Sequence, residues 1–159
     1  MAFSETWFTP ETNIEELEIL GYNMVSDDRI YSSGRRVALY LRDGYDFQMR
    51  EDLRIDGIEN LWVDTGELIV GIIYNPPNRS LGEFFDNMEN ALHSIYLSKK
   101  KCLILGDINI NTLVKNFKSR KYLNLIYSEG FSPLTENSIS CIDYSHSNFI
   151  SYSTSGSIA

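Results

Sequence analysis

A carboxylate and an amide follow a short apolar run in the second half of the chain. Residues 102–105 are Cys-Leu-Ile-Leu, and Gly106, Asp107, Ile108 and Asn109 come directly after them. Such a run predicts a buried strand that ends in a sharp turn. In extended backbone, Asp107 and Asn109 would point the same way. Because α/β sheets usually hold their chemistry at the carboxyl ends of strands, this pair is the first candidate for a functional site. An Asx-type turn that caps the strand is the alternative for the same pair.

The composition predicts one globular domain over residues 1–159, with a formal net charge of −8. Nucleic-acid binders usually carry a basic surface, so this charge argues against tight, non-specific DNA binding. It leaves open an enzyme that contacts phosphates through a divalent cation. No apolar run is long enough to span a bilayer, and the first residues do not form a signal peptide. We therefore expect no membrane contact and an intracellular protein, in the nucleus or cytoplasm, that is not secreted. Cys102 and Cys141 are then expected to be buried thiols, with a disulfide as the alternative.

Alternating strands and helices must position the pair, and this alternation with hairpins predicts a mixed α/β domain. The β-branched, apolar segment 67–74 should be a central strand, joined to 61–63 by a hairpin through 64–66. Ser80 and Glu83 match a capping box at the start of a helix. The predicted strands cover 22–25, 36–41, 47–53, 61–63, 67–74, 102–105 and 138–143, and the predicted helices cover 12–20, 80–96 and 117–128.

Four short motifs in the chain together carry a family resemblance. They are SETW at 4–7, GIIYNPP at 71–77, LGDIN at 105–109 and IDY at 142–144. In this order and at these separations they resemble the endonuclease/exonuclease/phosphatase family, which has the deoxyribonuclease I-like fold. The closest likeness is to the endonuclease domains of non-long-terminal-repeat retrotransposons. The resemblance covers nearly the whole chain and implies a four-layer α-β-β-α sandwich with mixed sheets.

The resemblance also implies a reaction, the hydrolysis of DNA phosphodiesters with magnesium or manganese. Glu5 would hold the metal, Asp107 would orient or deprotonate the attacking water, and Asn109 would donate to a phosphate oxygen. Tyr74 would support the phosphate from the other side, and Asp143 would orient a catalytic histidine. These residue types suit the reaction, which needs a divalent ion, a placed water and stabilisation of charge on the phosphoryl oxygens.

Several departures from the family pattern bear on activity. The family has an Asn-bearing strand before SETW and a later Ser-Asp-His strand, so the resemblance is to a domain truncated at both ends. The two histidines present, His93 and His146, are assigned to the surface, and Asn75 replaces a frequent Arg. We therefore expect reduced or lost activity. The alternatives are a non-catalytic remnant, an interaction module whose open sheet edges take a protein partner, and a phosphatase or lipid phosphodiesterase of the same superfamily.

Overall fold

The described part of the chain forms a mixed α/β arrangement of two sheets and two α-helices. The computed structural model describes residues 1–4, 6, 12–26, 37–133 and 148–150. Predicted strand 138–143 lies outside these residues. The strands are β1 Ala2–Phe3, β2 Tyr22–Ser26, β3 Ala38–Arg42, β4 Gln48–Met49, β5 Glu59–Asp64, β6 Leu68–Tyr74, β7 Lys101–Asp107, β8 Phe131–Pro133 and β9 Asn148–Ile150, and the helices are α1 Leu81–Ser98 and α2 Phe117–Ser128.

The larger sheet has the strand order β4-β5-β6-β7-β9-β8, and the smaller one has the order β1-β3-β2. Strands β5 and β6 form the predicted antiparallel hairpin. Strand β6 then pairs in parallel with β7, which pairs in parallel with β9. The prediction that segment 67–74 is central is confirmed, because β6 has a paired strand on each side. Its nearly uninterrupted apolar sequence suits a strand that is buried on both faces.

Two hydrophobic cores lie on the two faces of the larger sheet. Alternate β6 residues Ile69 and Ile73 pack toward the helices, with apolar side chains of α1 and α2. The intervening residues Val70 and Ile72 face the smaller sheet and pack with Leu39 of β3. The described residues therefore stack in three layers, with the helices, the larger sheet and the smaller sheet in that order. None of the helices in these residues is long and apolar enough to cross a membrane.

Three predictions about local structure are wrong. Segment 47–53 is not one strand, because β4 stops at Met49 and a 3₁₀ turn, Glu51–Leu53, follows. This turn carries Leu53 into the helix-side core, which an edge strand could not do. Segment 12–20 forms only a 3₁₀ turn, Ile14–Leu17, instead of a helix. Ser80 precedes α1 but makes no side-chain capping bond, so the capping box there is absent.

Cys102 is buried in the helix-side core, as predicted. Burial disfavours the thiolate and raises the pKa of this thiol well above its ordinary value. A thiol held protonated is a poor nucleophile, so Cys102 contributes packing instead of chemistry. Cys141 lies outside the described residues.

Candidate active site at the ends of β6 and β7

Tyr74 and Asp107 are neighbours at the carboxyl ends of the central parallel strands. Tyr74, the last residue of β6, is in register with Asp107, the last residue of β7. Paired residues on parallel strands point to the same face, and Tyr74 belongs to the core between the two sheets. The Asp107 side chain therefore lies on the inter-sheet face at this edge, beside the tyrosine.

Gly106 makes the end of β7 possible. Its φ is +124°, a conformation that side-chain-bearing residues rarely adopt. A Cβ atom added at this position would overlap the backbone carbonyl oxygen of Ile73 on the neighbouring strand. The glycine therefore lets β6 and β7 approach closely while β7 bends, directly before the residue with the candidate catalytic carboxylate.

Asp107 and Asn109 are brought together by a turn. The Asn109 backbone N–H donates to Asp107 Oδ1 at 2.8 Å, and the φ of Asn109 is +53°. Strand β7 ends at Asp107, so the expectation that extended backbone aligns the two side chains is wrong. The alternative of an Asx-type turn is confirmed. The turn still presents the acid and the amide at one edge of the sheet, through a bond that orients the carboxylate.

Asn75 ties this turn to the end of β6 by three hydrogen bonds. Its backbone N–H donates to the Asp107 carbonyl at 2.9 Å, and its Nδ2 donates to the Ile108 carbonyl at 3.1 Å. Its own carbonyl accepts from Asn109 Nδ2 at 2.8 Å. Asn109 is thus held at two points. Its backbone N–H donates to the Asp107 carboxylate, and its side-chain amide donates to the Asn75 carbonyl.

Asn75 also holds an unsatisfied buried acceptor. The residue is 1% exposed, and no group among the described residues donates a hydrogen bond to its Oδ1. Buried polar atoms of this kind are uncommon and are usually satisfied by an ordered water or an ion. In the sequence, Asn75 is distinguished only by standing where the family pattern frequently has an Arg. The available signal was an amide placed directly after the central strand, beside Tyr74.

Burial limits what the predicted residues can contact directly. Asp107 is 8% exposed and Tyr74 is 1% exposed. A carboxylate can accept about four hydrogen bonds, so Asp107 can bind a water as well as the Asn109 N–H. Tyr74 packs among the apolar side chains between the sheets, and its contact with a phosphate stays a prediction.

The oxygen donors at this edge suit magnesium chemically. They are the Asp107 carboxylate and the Asn75 carboxamide oxygen, to which none of the described residues donates; both are hard ligands. Across the described residues, no three His, Cys, Asp or Glu side chains come together as a ready metal cage. Magnesium does not require one, because it commonly takes one or two carboxylates and keeps several waters.

The remaining predicted site residues lie elsewhere or outside the described part of the chain. Glu5, Asp143 and His146 are outside the described residues. His93 lies on the exposed side of α1, as predicted, and its Nδ1 is 3.3 Å from Glu129 Oε2 at the end of α2. It contributes to a surface contact between two helix regions. Comparison with protein-family models and with curated proteins gives no match for this sequence.

Proposed function

We propose that this chain is a metal-dependent phosphodiester hydrolase domain of the retrotransposon endonuclease type. The observation that carries the proposal is the Asp107–Asn109 turn, which Asn75 holds at the ends of the two central parallel strands. In phosphodiester hydrolysis, a carboxylate can accept the proton of the attacking water, and a fixed amide donor can stabilise charge on a phosphoryl oxygen.

The layer order supports a deoxyribonuclease I-like arrangement for the domain. Two sheets pack face to face, and both described helices cover the outer face of the larger sheet. This order matches three consecutive layers of the proposed four-layer α-β-β-α sandwich. The Asp107 edge belongs to the larger sheet, and Tyr74 beside it packs between the two sheets.

Each residue of the turn has a distinct role in the proposed mechanism. Asp107 accepts a hydrogen bond from the attacking water and takes its proton as the water oxygen bonds to phosphorus. The bond from phosphorus to the leaving sugar oxygen breaks, and solvent water protonates that oxygen. Asn109 uses one Nδ2 hydrogen on the Asn75 carbonyl, so its second hydrogen can donate to a phosphate oxygen. Because the amide is already oriented, little reorganisation is needed when negative charge develops on the phosphoryl group.

By the family resemblance, Glu5 would hold magnesium or manganese, and the carboxylate of Asp107 and the Oδ1 of Asn75 would supply further oxygen donors. When bound, the ion would stabilise the developing charge on the phosphoryl oxygens. Asp143 would orient a histidine, and neither His93 nor His146 matches the family's histidine motif. Removal of a general acid or base costs about 10² to 10⁴ in rate, so we expect slow hydrolysis from these 159 residues alone.

Nicking of supercoiled plasmid DNA tests the proposal. We expect slow conversion to the open-circular form with MgCl₂ or MnCl₂ and none with excess EDTA. Asp107→Asn keeps the shape of the side chain but removes the base, and it should lower the rate by at least about 100-fold. Asp86→Asn, at an exposed position of α1, is the matched control and should retain the wild-type rate. Wild-type nicking no faster than that of Asp107→Asn would overturn the proposal.

A protein partner bound through an open sheet edge stays a prediction. Among the outermost strands of the described residues, β1, β4 and β8 have only two or three residues each, and β2 has five. Short edges offer few backbone groups for pairing. The structure therefore gives this alternative less support than it gives hydrolysis.

A further inference from the structure

A basic stretch follows the candidate active site directly in the sequence. Residues 108–128 contain no Asp or Glu, although the chain as a whole has 22 acidic residues and a net charge of −8. The same stretch contains four cations, Lys115, Lys118, Arg120 and Lys121, which we call the basic surface. This local positive charge contrasts with the rest of the chain, whose residues carry a net charge of −12.

The four cations are exposed and have no ion-pair partner among the described residues. The buried face of α2 is formed instead by Tyr122, Leu125 and Ile126. Lys118 and Lys121 are three residues apart on α2 and are therefore neighbours on its surface. The Lys121 ammonium lies 4.8 Å from the centre of the Phe85 ring, a contact that leaves its positive charge in place. The basic surface can therefore attract an anion.

The basic surface begins at the same edge of the sheet as the candidate active site. Strands β7, β8 and β9 run parallel, and α2 connects β7 to β8. A helix that joins parallel strands starts near the carboxyl end of the first strand and returns along the sheet. Residues 108–116 form the loop between Asp107 and the start of α2, and Lys115 lies in this loop.

An exposed aromatic ring accompanies the cations. Phe117, the first residue of α2, is 75% exposed, and Arg120 and Lys121 follow it by three and four residues. These spacings make both cations its neighbours on the helix surface. Cations beside an exposed aromatic ring are the combination with which proteins hold nucleic-acid strands, through phosphate contacts and base stacking.

We propose that the basic surface, with Phe117, binds the sugar–phosphate backbone of DNA beside the candidate active site. This inference deepens the proposed function, on which it rests, by assigning an extended polyanion as the ligand. An anionic membrane is the less favoured ligand, because the apolar face of α2 is packed in the core and cannot enter a bilayer. The strong acidity of the rest of the chain would repel DNA elsewhere and confine contact to this surface.

Fluorescence anisotropy with a labelled 20-base-pair DNA duplex in EDTA tests the inference. EDTA prevents hydrolysis, so the measurement reports binding alone. With four phosphate contacts, the logarithm of affinity should fall with the logarithm of salt concentration with a slope of about −3.6. Lys115→Gln/Lys118→Gln/Arg120→Gln should bring this slope to about −0.9 and weaken binding at least tenfold at low salt.

A matched triple variant controls for net charge. Arg42→Gln/Lys99→Gln/Lys101→Gln removes the same number of positive charges from exposed positions outside the basic surface. It should change the affinity less than threefold. Equal loss of binding in both triple variants would overturn the inference, as would wild-type binding to anionic lipid vesicles without binding to DNA. Circular dichroism must show that both variants are folded.

Two further variants test the role of Phe117 and distinguish DNA binding by the basic surface from the proposed hydrolysis. Phe117→Ala should weaken binding to single-stranded dT20 at least fivefold and binding to the duplex less; equal losses would overturn the stacking role. Asp107→Asn should bind DNA like wild type in EDTA while it fails to nick plasmid. If wild type binds as expected but never nicks, the proposed function fails and the basic surface stands. If wild type nicks and the first triple variant binds DNA normally, only the basic surface fails.

Discussion

At the scale of single residues, Gly106 has the strongest steric requirement at the candidate active site. Its left-handed φ and its closeness to the Ile73 carbonyl oxygen both exclude a side chain. We expect Gly106→Ala to lower the free energy of unfolding by about 3 kcal/mol or more, because a backbone clash adds to conformational strain. Urea denaturation followed by far-UV circular dichroism measures this loss.

Gly44→Ala distinguishes the cost of the steric clash at Gly106 from the cost of backbone strain alone. Gly44 has a φ of +85°, but an added Cβ would meet nothing within 4 Å. This variant should lose only about 1 kcal/mol, from strain alone. Equal losses in the two alanine variants would mean that the approach of Gly106 to β6 does not limit stability.

Asn75 supports a second prediction at this scale, because its Nδ2 is a donor that an aspartate lacks. Asn75→Asp would place a carboxylate oxygen against the Ile108 carbonyl, and we expect a loss of about 1–3 kcal/mol in unfolding free energy. Asn111→Asp is the matched control, since Asn111 uses its Oδ1 to accept from the Leu113 N–H and aspartate keeps that acceptor. Urea denaturation of both variants decides the prediction. A change below about 0.5 kcal/mol in Asn75→Asp would contradict it.

The sequence predicted the position of the site better than its geometry. Asp107 and Asn109 were identifiable because an apolar run stops before them. The bonds that hold their turn against β6 and orient the Asn109 amide come from Asn75, 34 residues before Asn109. Only the parallel register of β6 and β7 brings Asn75 to the turn. A local pattern carries no information on such a pairing. The requirement for Gly106 was hidden for the same reason, since the clash is with a neighbouring strand.

At the scale of elements, the two helices begin in different ways. Asn116 caps α2 with a reciprocal capping box, in which its side chain accepts from Ser119 N at 2.9 Å and Ser119 Oγ accepts from Asn116 N at 3.1 Å. Ser80 precedes α1 without a side-chain capping bond. We expect Asn116→Ala to cost about 1 kcal/mol of unfolding free energy and Ser80→Ala to cost a few tenths at most. Thermal and urea denaturation of the pair give the comparison, and a larger cost at Ser80 would contradict it.

Element prediction succeeded where periodicity was strong and long. The predicted helix at 117–128 coincides with α2, because its apolar face and Gly130 define both ends. The predicted helix at 80–96 differs from α1 by a residue or two. The prediction of a strand over 47–53 failed because a 3₁₀ turn carries Leu53 toward the helices and buries it there. Strand propensity does not encode such a turn. The capping box at Ser80 failed because a motif match does not fix the side-chain rotamer.

At the scale of the whole molecule, two groups of charged residues lie at opposite ends of the central strands. The candidate active site and the basic surface lie toward the carboxyl ends of β6 and β7. At the other end, the buried Asp64 carboxylate accepts from Lys100 Nζ at 2.7 Å and from the Gly66 N–H at 2.8 Å, with Arg50 Nη1 at 3.5 Å. This second group links the β5–β6 hairpin to the start of β7. Its charges are satisfied within the protein, which distinguishes it from the basic surface.

The pH dependence of stability should therefore report on Asp64. Burial alone would raise the pKa of this carboxyl, but the hydrogen bonds from Lys100 and Gly66 and the charges of Lys100 and Arg50 together hold it below its ordinary value. A carboxyl whose pKa is lower in the folded protein stabilises it above its unfolded pKa of about 3.9. This stabilisation is lost as the pH falls through the folded pKa.

Asp64→Asn tests this linkage, because asparagine resembles the protonated aspartic acid. At pH 7 we expect the variant to be less stable than wild type by about 1–3 kcal/mol, since Lys100 loses its charged partner while Arg50 keeps only its ion pair with Asp52. The difference should narrow between pH 5 and pH 3, as protonation makes wild-type Asp64 resemble the variant. Urea denaturation at pH 7, 5 and 3 measures it, with the exposed Asp46→Asn as the control for a change of net charge. If the difference in unfolding free energy between wild type and Asp64→Asn stayed constant over this pH range, the charge of the Asp64 carboxylate would not contribute to holding the β5–β6 hairpin against β7.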